Sequence, residues 1–274
     1  LILWQNHLYR YEGRDMAAKI IISGHSSGLG KALAELYLEQ GCPVLGIARR
    51  MLPPREGLQQ CTLDLSDSGT LARWLESAAP EAFINGADEL VLINNAGTVA
   101  PSAVCGRQRP SEIAAAVGLN VAAPLMLTNH VLAVRPESLP VKIVHISSGA
   151  GRKAYPGWSV YGATKAALDH HARCVAAEDR RNIAIASIAP GVVDTAMQAE
   201  IRGLPQDEFP VLPRFVQLRR ENGLASPESA AALIAAMIAD EDFGGEVIED
   251  VRRRQELKET FQTASALRER PSET

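Results

Sequence analysis

Short apolar runs alternate along the chain with longer stretches in which apolar residues recur at helical spacing. Runs of about four to eight residues rich in Val, Ile and Leu are typical of strands buried on both faces of a parallel sheet. Such runs predict strands at residues 19–23, 43–48, 60–64, 90–94, 141–147 and 183–189, with a short last strand near residues 246–248. The amphipathic stretches predict helices at residues 29–40, 68–79, 110–117, 121–134, 159–179 and 227–239. This alternation predicts a single α/β domain, a doubly wound parallel sheet of about seven strands with helices on both faces.

Three segments depart from the alternation. Residues 1–15 have no long apolar core, and we expect them to form an extension outside the fold rather than a signal peptide, so that the domain spans residues 16–250. Residues 196–225 contain Pro205, Pro210 and Pro213, and a long excursion of this kind is typical of a substrate lid. Residues 251–274 are highly charged, which predicts a C-terminal tail.

Composition narrows the classes of partner. The 274 residues carry 28 Lys and Arg against 32 Asp and Glu, a formal net charge of −4, which gives no electrostatic reason to expect nucleic acid or an anionic membrane. No apolar run approaches the roughly 18–20 residues that a membrane span needs, so we expect a soluble protein.

The metal-binding residue types are scattered. The cysteines form no CxxC pair, which predicts neither a zinc site nor a redox dithiol and favours a cytoplasmic location. The histidines have no accompanying cluster of ligands, so we predict no metal site. The residues concerned are Cys42, Cys61, Cys105, Cys174, His25, His170 and His171.

A glycine-rich stretch, SGHSSGLGKA at residues 23–32, follows the first predicted strand directly. It fails the spacing of a nucleoside-triphosphate loop and also that of the GxGxxG dinucleotide fingerprint, although the physics of the latter applies. Gly24 allows a tight turn, Gly28 lets backbone approach a pyrophosphate, and Gly30 permits close helix packing. The helix beginning near Leu29 then points free N–H groups at the anion. Taken alone, the stretch fits a structural turn equally well.

Four further motifs follow later strands or begin a helix: LINNAG (residues 92–97), VHISSGAG (144–151), YGATK (161–165) and IAPGVVDT (188–195). With the glycine-rich stretch, and in this order, they make the chain similar to the short-chain dehydrogenase/reductase family over residues 16–248. The resemblance implies a Rossmann-like fold, a nicotinamide cofactor and a homodimer or homotetramer, joined through the helices at 121–134 and 159–179. It does not choose between the two oligomers.

The resemblance assigns chemistry to four side chains. Tyr161 and Lys165 are four residues apart on a predicted helix, so they share a face, and a nearby ammonium is expected to lower the pKa of a phenol from about 10. By resemblance, Tyr161 protonates the carbonyl oxygen of the substrate and Lys165 also binds the nicotinamide ribose. Ser148, thirteen residues before the tyrosine, is implied to orient that oxygen. Asn120 is implied to hold a relay water through its backbone. The alternatives are an ordinary Tyr–Lys helix face and a helix-capping Asn.

Cofactor choice depends on the end of the second strand. There the chain offers Arg49 and Arg50 instead of the acidic residue that holds the ribose of NAD, so we predict NADPH, with two solvated arginines as the alternative. Ser27 departs from relatives that place a basic residue at its position. Asp64, with Leu65, matches the family's adenine contact, although it also suits a turn. The full set of implied cofactor residues is Ser23, Gly24, Ser26, Ser27, Gly28, Leu29, Gly30, Arg49, Arg50, Asp64, Leu65, Asn95, Ala96, Gly97, Tyr161, Lys165, Pro190, Gly191, Val193 and Thr195.

Two short matches are similar to the sepiapterin reductase and benzil reductase branch: a GW pair before the tyrosine and DTxMQ after the PG turn. They suggest Trp158 and Met197, with Ser148 and Tyr161, as substrate contacts. Trp158 at a packing contact is an equal alternative.

The sequence thus supports two hypotheses. One is an NADPH-dependent reductase that converts a ketone or vicinal dicarbonyl to an alcohol. The other is a non-catalytic NADP(H)-binding sensor on the same fold.

Overall fold

A seven-stranded parallel sheet forms the centre of the molecule, with the strand order β5-β4-β3-β6-β7-β8-β9. The structure, a computed structural model, describes residues 10, 11, 14, 15 and 18–253. The strands are β1 (Arg10–Tyr11), β2 (Arg14–Asp15), β3 (Ala18–Ser23), β4 (Val44–Ala48), β5 (Leu58–Thr62), β6 (Glu89–Asn94), β7 (Val141–Ile146), β8 (Ile183–Ala189) and β9 (Ile248–Asp250). Every neighbouring pair in the large sheet is parallel, which confirms the predicted sheet.

Helices cover both faces of this sheet. They are α1 (Gly28–Glu39), α2 (Ser68–Leu75), α3 (Ala78–Ile84), α4 (Pro110–Val117), α5 (Ala123–Val134), α6 (Ser159–Ala177), α7 (Ala196–Arg202), α8 (Leu212–Arg220) and α9 (Pro227–Ile238). On one face, α1 and α9 bury side chains such as Leu33 and Ile234 against the sheet. On the other, α2, α3, α5 and α6 contribute residues such as Leu71, Leu127 and Val175. Strands covered on both faces need apolar residues at successive positions, which explains the continuous runs in the sequence.

Two helices differ from their predicted form. The helix expected at 68–79 is divided, because Ser77 accepts from the N–H of Ala79 and donates to the carbonyl of Trp74, starting a new helix. The helix expected at 121–134 begins inside a π-helical turn, Gly118–Ala122, which continues directly from α4. The outer strands β5 and β9 are shifted by two residues from their predicted positions.

The segment predicted as an excursion, 196–225, contains α7 and α8. These helices pack on a third apolar cluster beside the sheet, which includes Trp158, Ile201, Phe209 and Phe215. The excursion is therefore an ordered cover with its own buried side chains.

The segments at the two ends are described only in part. Arg10–Tyr11 pairs antiparallel with Arg14–Asp15 in a small ladder separate from the large sheet. Val251 is buried and Arg252 pairs with Asp250, so the first residues of the predicted tail lie against the domain. Residues 254–274 of that tail lie outside the described residues.

One helical segment, Pro110–Val134, is long and apolar enough to cross a bilayer by length and composition, with a mean hydropathy of 1.5. The sequence contains no unbroken apolar run of that length, but α4, the π turn and α5 together reach 25 residues. In this fold the segment packs on the sheet: 44% of its most apolar stretch is buried, and Leu127 and Val131 belong to the core.

Candidate active site

A cavity of about 520 Å³ opens at the carboxyl ends of the strands. It lies where the chain changes direction across the sheet, between β3 and β6, which is the place where open α/β sheets bind ligands. The glycine-rich turn lies on one wall and Ser148, Tyr161 and Lys165 on another.

The glycine-rich turn brings the start of α1 to the cavity. Gly24 has φ +73°, and a Cβ there would lie 2.9 Å from the Cα of Ala96. A Cβ on Gly30 would lie only 2.2 Å from the carbonyl oxygen of Gly24. Within the described part of the chain, the Ser27 side chain makes no capping hydrogen bond to α1. The first N–H groups of this helix, beginning at Gly28 in the cavity wall, are thus available to an anion.

Ser23 braces this turn from behind and does not line the cavity. Its hydroxyl accepts hydrogen bonds from the backbone N–H groups of Asn95 and Ala96, both at 3.0 Å. The Asn95 amide donates in turn to the carbonyls of Ser23 and Gly24, at 3.1 and 3.3 Å. These bonds lock the segment after β6 against the turn after β3.

The far end of the cavity is lined by Arg49, Arg50, Asp64 and Leu65. Both arginines are exposed. Asp64 accepts hydrogen bonds from the hydroxyl and the N–H of Ser66, at 2.7 and 3.0 Å. These bonds, with a smaller contribution from the charge of Arg49, hold the pKa of Asp64 below its ordinary value.

Tyr161 and Lys165 face the cavity from one side of α6, and both are buried, at 7% and 4% exposure. The Lys165 ammonium donates a 2.7 Å hydrogen bond to the carbonyl of Ile146 and lies 5.8 Å from the centre of the Tyr161 ring. Ser148 caps the short turn Gly149–Gly151 by accepting from the N–H of Ala150, and its side chain also hydrogen-bonds Tyr161. A hydroxyl, a phenol and an ammonium thus converge on one wall.

The pKa of Tyr161 departs from the expectation based on sequence. Burial raises this pKa, and the hydrogen bond from Ser148 offsets only part of the rise. Burial also lowers the pKa of Lys165 to about 8, although the charge of Asp169 opposes that change. The net pKa of Tyr161 is therefore raised rather than lowered as expected from the sequence, because burial disfavours the charged phenolate.

Asn120 lies in the π turn behind the cavity wall. Its side-chain oxygen accepts from the N–H of Thr98, and its amide donates to the carbonyl of Thr98, both at 2.8 Å. The amide also contacts the hydroxyl of Thr164 on α6 at 3.1 Å. Gly97 lies beside both groups, since a Cβ there would lie 3.3 Å from the Asn120 oxygen and 3.5 Å from the Lys165 nitrogen. The side chain braces the site, and the helix-cap alternative does not apply because the residue lies inside a continuous helical segment.

Comparison with known proteins agrees with this geometry. The family model for short chain dehydrogenases matches residues 18–204. The chain belongs to the short-chain dehydrogenase/reductase family. It is therefore an oxidoreductase of a family that binds a nicotinamide cofactor.

The relatives within this family point to one branch. Benzil reductase ((S)-benzoin forming) of Bacillus cereus is 36% identical over 242 residues, 84% of this chain and 97% of the relative. Sepiapterin reductase of Xenopus tropicalis is 30% identical over 225 residues, 74% of this chain and 84% of the relative. The crystal structure of a short-chain dehydrogenase/reductase from Burkholderia vietnamiensis is 39% identical, with a TM-score of 0.63, and the match covers 86% of this chain and 97% of that one. The branch expected from sequence is confirmed.

One part of the cavity lining is aromatic. Trp158 meets Tyr161 edge-on at 5.1 Å and Tyr155 edge-on at 5.7 Å, and it also packs on Phe209 and Phe215 of the cover. Its indole N–H donates to the Ser102 hydroxyl at 3.0 Å. Trp158 thus lines the cavity and also belongs to a buried packing cluster, and its role as a substrate contact stays a prediction.

The cavity brings together almost all of the predicted residues. Ser23 and Asn120 lie behind its wall, and every other predicted residue lines it. Sequence reasoning missed several lining residues of the cover and of the loop before α6, because they lie outside the motifs. These are Tyr155, Gln198, Ile201, Arg214, Phe215 and Leu218.

Proposed function

We propose that the protein is an NADPH-dependent reductase that converts a carbonyl, in particular a vicinal dicarbonyl, to an alcohol, with Tyr161 as the proton donor. The observation that carries this proposal is that Ser148, Tyr161 and Lys165 share one cavity with the start of α1. An anion site and a proton donor in one crevice suit a reaction between a bound dinucleotide and a carbonyl compound.

The chain's residues fit a nicotinamide dinucleotide. The N–H groups at Gly28 and Leu29 and the hydroxyls of Ser26 and Ser27 would hold the pyrophosphate. Lys165 would hold the nicotinamide ribose. Pro190, Gly191, Val193 and Thr195 also line the cavity and would surround the nicotinamide.

Arg49 and Arg50 support NADPH over NADH. They line the cavity immediately after β4, where an acidic residue would instead hold an unphosphorylated ribose. Guanidinium groups bind phosphate through charge-assisted, often bidentate hydrogen bonds.

The proposed chemistry assigns one task to each side chain. The bound cofactor supplies a hydride to the carbonyl carbon. Ser148 donates a hydrogen bond to the carbonyl oxygen and stabilises the negative charge that develops there. Tyr161 delivers its phenolic proton to that oxygen, and the raised pKa keeps the phenol protonated before the reaction. Lys165 places a positive charge beside the phenol, and Asn120 holds the Thr98 backbone and contacts the Thr164 hydroxyl next to Lys165.

The aromatic side of the cavity supports a planar dicarbonyl substrate. Trp158 and Tyr155 offer rings to a flat substrate, and Met197 lines the cavity from the cover. Two relatives are named for the reduction of benzil and of sepiapterin, and this chain is 36% and 30% identical to them.

We also propose a cytoplasmic homodimer or homotetramer. The segment Pro110–Val134 combines a mean hydropathy of 1.5 with only partial burial, and Val117 is 43% exposed. A second copy would cover this apolar surface. Four free cysteines suit a reducing compartment. Light scattering coupled to size exclusion tests the oligomer, and a monomer at micromolar concentration would contradict it.

Steady-state kinetics with NADPH and NADH, against benzil, sepiapterin and simple ketones, tests the proposal. We expect turnover with NADPH and a preference for vicinal dicarbonyls. In the Arg49→Ala/Arg50→Ala double variant, KM for NADPH should rise by about 10- to 100-fold while KM for NADH stays constant. Arg55→Ala, an exposed arginine of the same segment outside the cavity, is the matched control. NADPH binding without turnover of any carbonyl would favour the sensor alternative.

A further inference from the structure

His25 lies inside the glycine-rich turn, between Gly24 and Ser26, yet it is fully buried and does not line the cavity. Its ring packs flat against β4. A Cβ on Gly46 would lie 2.3–2.5 Å from three ring atoms, so β4 has room for this ring only because residue 46 is glycine. The contact joins the turn after β3 to the neighbouring strand, whose end carries the two arginines.

A hydrogen-bonded chain continues from the ring. The Nε2 of His25 lies 2.8 Å from the side-chain oxygen of Gln60 on β5. That same oxygen accepts from the N–H of Leu52 at 2.7 Å, and the Gln60 amide donates to the carbonyl of Leu52 at 3.0 Å. Gln60 therefore holds both backbone polar groups of Leu52.

These bonds also identify the donor in the contact between the ring and Gln60. The N–H of Leu52 must bond the Gln60 oxygen, and the carbonyl of Leu52 must bond the Gln60 nitrogen. This assigns the two ends of the Gln60 amide, and the atom that faces His25 is the oxygen. Nε2 therefore carries a hydrogen and donates it to Gln60. Nδ1 lies buried without a hydrogen-bond partner among the described residues.

The hydrogen bonds from His25 through Gln60 end at Leu52, which lies close to the two arginines. Leu52 follows Arg50 by two residues, in a segment without regular secondary structure between β4 and β5. Such a segment takes its conformation from tertiary contacts, and the Gln60 pair anchors it. Arg49 and Arg50 are thus held between the end of β4 and a fixed Leu52.

We propose that His25 is a positioning residue for cofactor selection, which holds Arg49 and Arg50, through Gln60 and Leu52, at a set distance from the glycine-rich turn. The turn and the arginines then bind the pyrophosphate and the 2′-phosphate of one NADPH molecule together. This inference rests on the proposed preference for NADPH.

Equilibrium binding of NADPH and NADH, followed by calorimetry without substrate, tests the role. His25→Ala and Gln60→Met each interrupt the series of hydrogen bonds from His25 to Leu52 at a different point. Both should weaken NADPH binding by about tenfold, the loss expected when a hydrogen bond to a charged group loses its geometry. NADH binding should change by less than about threefold, because NADH has no phosphate for the arginines. His25→Gln should recover part of the selectivity, since its amide places a donor at a similar reach.

A double variant separates positioning from simple space filling. His25→Ala/Gly46→Ala returns a methyl group to the space the ring leaves, so its melting temperature should exceed that of His25→Ala. Its selectivity should stay low, because no donor reaches Gln60. Recovery of full selectivity in this variant would overturn the proposal, as would wild-type selectivity in both His25→Ala and Gln60→Met. A wild-type protein without preference for NADPH would contradict the proposed cofactor itself, and this inference with it.

Discussion

The ammonium nitrogen of Lys165 lies 5.8 Å from the centre of the Tyr161 ring and is held there by a hydrogen bond to the carbonyl of Ile146. The end of β7 therefore fixes where the charge lies relative to the phenol. Because burial lowers the pKa of Lys165 to about 8 and raises that of Tyr161, the lysine loses its proton before the tyrosine does. Deprotonation of Lys165 then sets the upper pH limit of the proposed reaction.

The pH profile tests this order of titration. At saturating NADPH, kcat/KM for carbonyl reduction should fall as the pH rises through about 8, since the positive charge beside Tyr161 is lost there. Lys165→Arg keeps its charge over this range, so its lower activity should not fall near pH 8. A wild-type profile that stays flat to pH 9.5, or an identical fall in Lys165→Arg, would refute the assignment.

The close packing around Gly30 predicts that adding a single methyl group there, as in Gly30→Ala, strongly destabilises the fold. A Cβ there would lie 2.2 Å from the carbonyl oxygen of Gly24 and 2.4 Å from the Asn95 amide, and backbone cannot yield as a flexible side chain can. Gly30→Ala should lower the free energy of unfolding by at least about 2 kcal/mol. Gly149→Ala is the control, because its Cβ would meet nothing within 4 Å, and it should change stability by less than about 0.5 kcal/mol. Urea unfolding measures both, and equal values would contradict the packing described here.

Buried histidine predicts how stability depends on pH. His145 receives a hydrogen bond from Asn94, lies 3.0 Å from His171, and has its pKa lowered from 6.5 to about 3, chiefly by burial. Between pH 6.5 and about 3, His145 therefore binds a proton in the unfolded chain but not in the folded chain. The free energy of unfolding decreases as the pH falls through this range. The slope for one such proton is about 1.4 kcal/mol per pH unit.

A pair of variants isolates this contribution. His145→Gln should be less stable at pH 7, and its stability should decline less between pH 6.5 and 4.5. His170→Gln, on the exposed face of α6, should follow the wild-type profile. Parallel profiles for His145→Gln and the wild type, from urea unfolding at several pH values, would remove His145 as the cause.

Much of the fold was predictable because the strands are covered on both faces. Continuous apolar runs such as β6 and β8 mark buried parallel strands directly. The edge strand β5 buries less, and its position was missed by two residues. The break between α2 and α3 depends on how one side chain, Ser77, bonds its neighbours, and periodicity alone does not encode that choice.

The site was predictable wherever motifs mark it, and less so where tertiary packing decides. Spacing alone paired Tyr161 with Lys165, but the direction of the tyrosine's pKa shift depends on burial, which no spacing gives. Ser23 belongs to the glycine-rich stretch, yet its hydroxyl is used by backbone behind the wall. Phe215 reaches the cavity because α8 packs on Trp158, a contact between distant segments.

Tyr161→Phe tests the central claim most directly, because it removes one oxygen atom from the proposed proton donor and keeps the ring that packs on Trp158. Turnover of the best dicarbonyl with NADPH should fall by about 10²–10⁴-fold, the contribution of a general acid, while calorimetric NADPH binding stays within a few-fold of the wild type. A Tyr161→Phe variant that reduces the substrate at close to the wild-type rate would contradict the account.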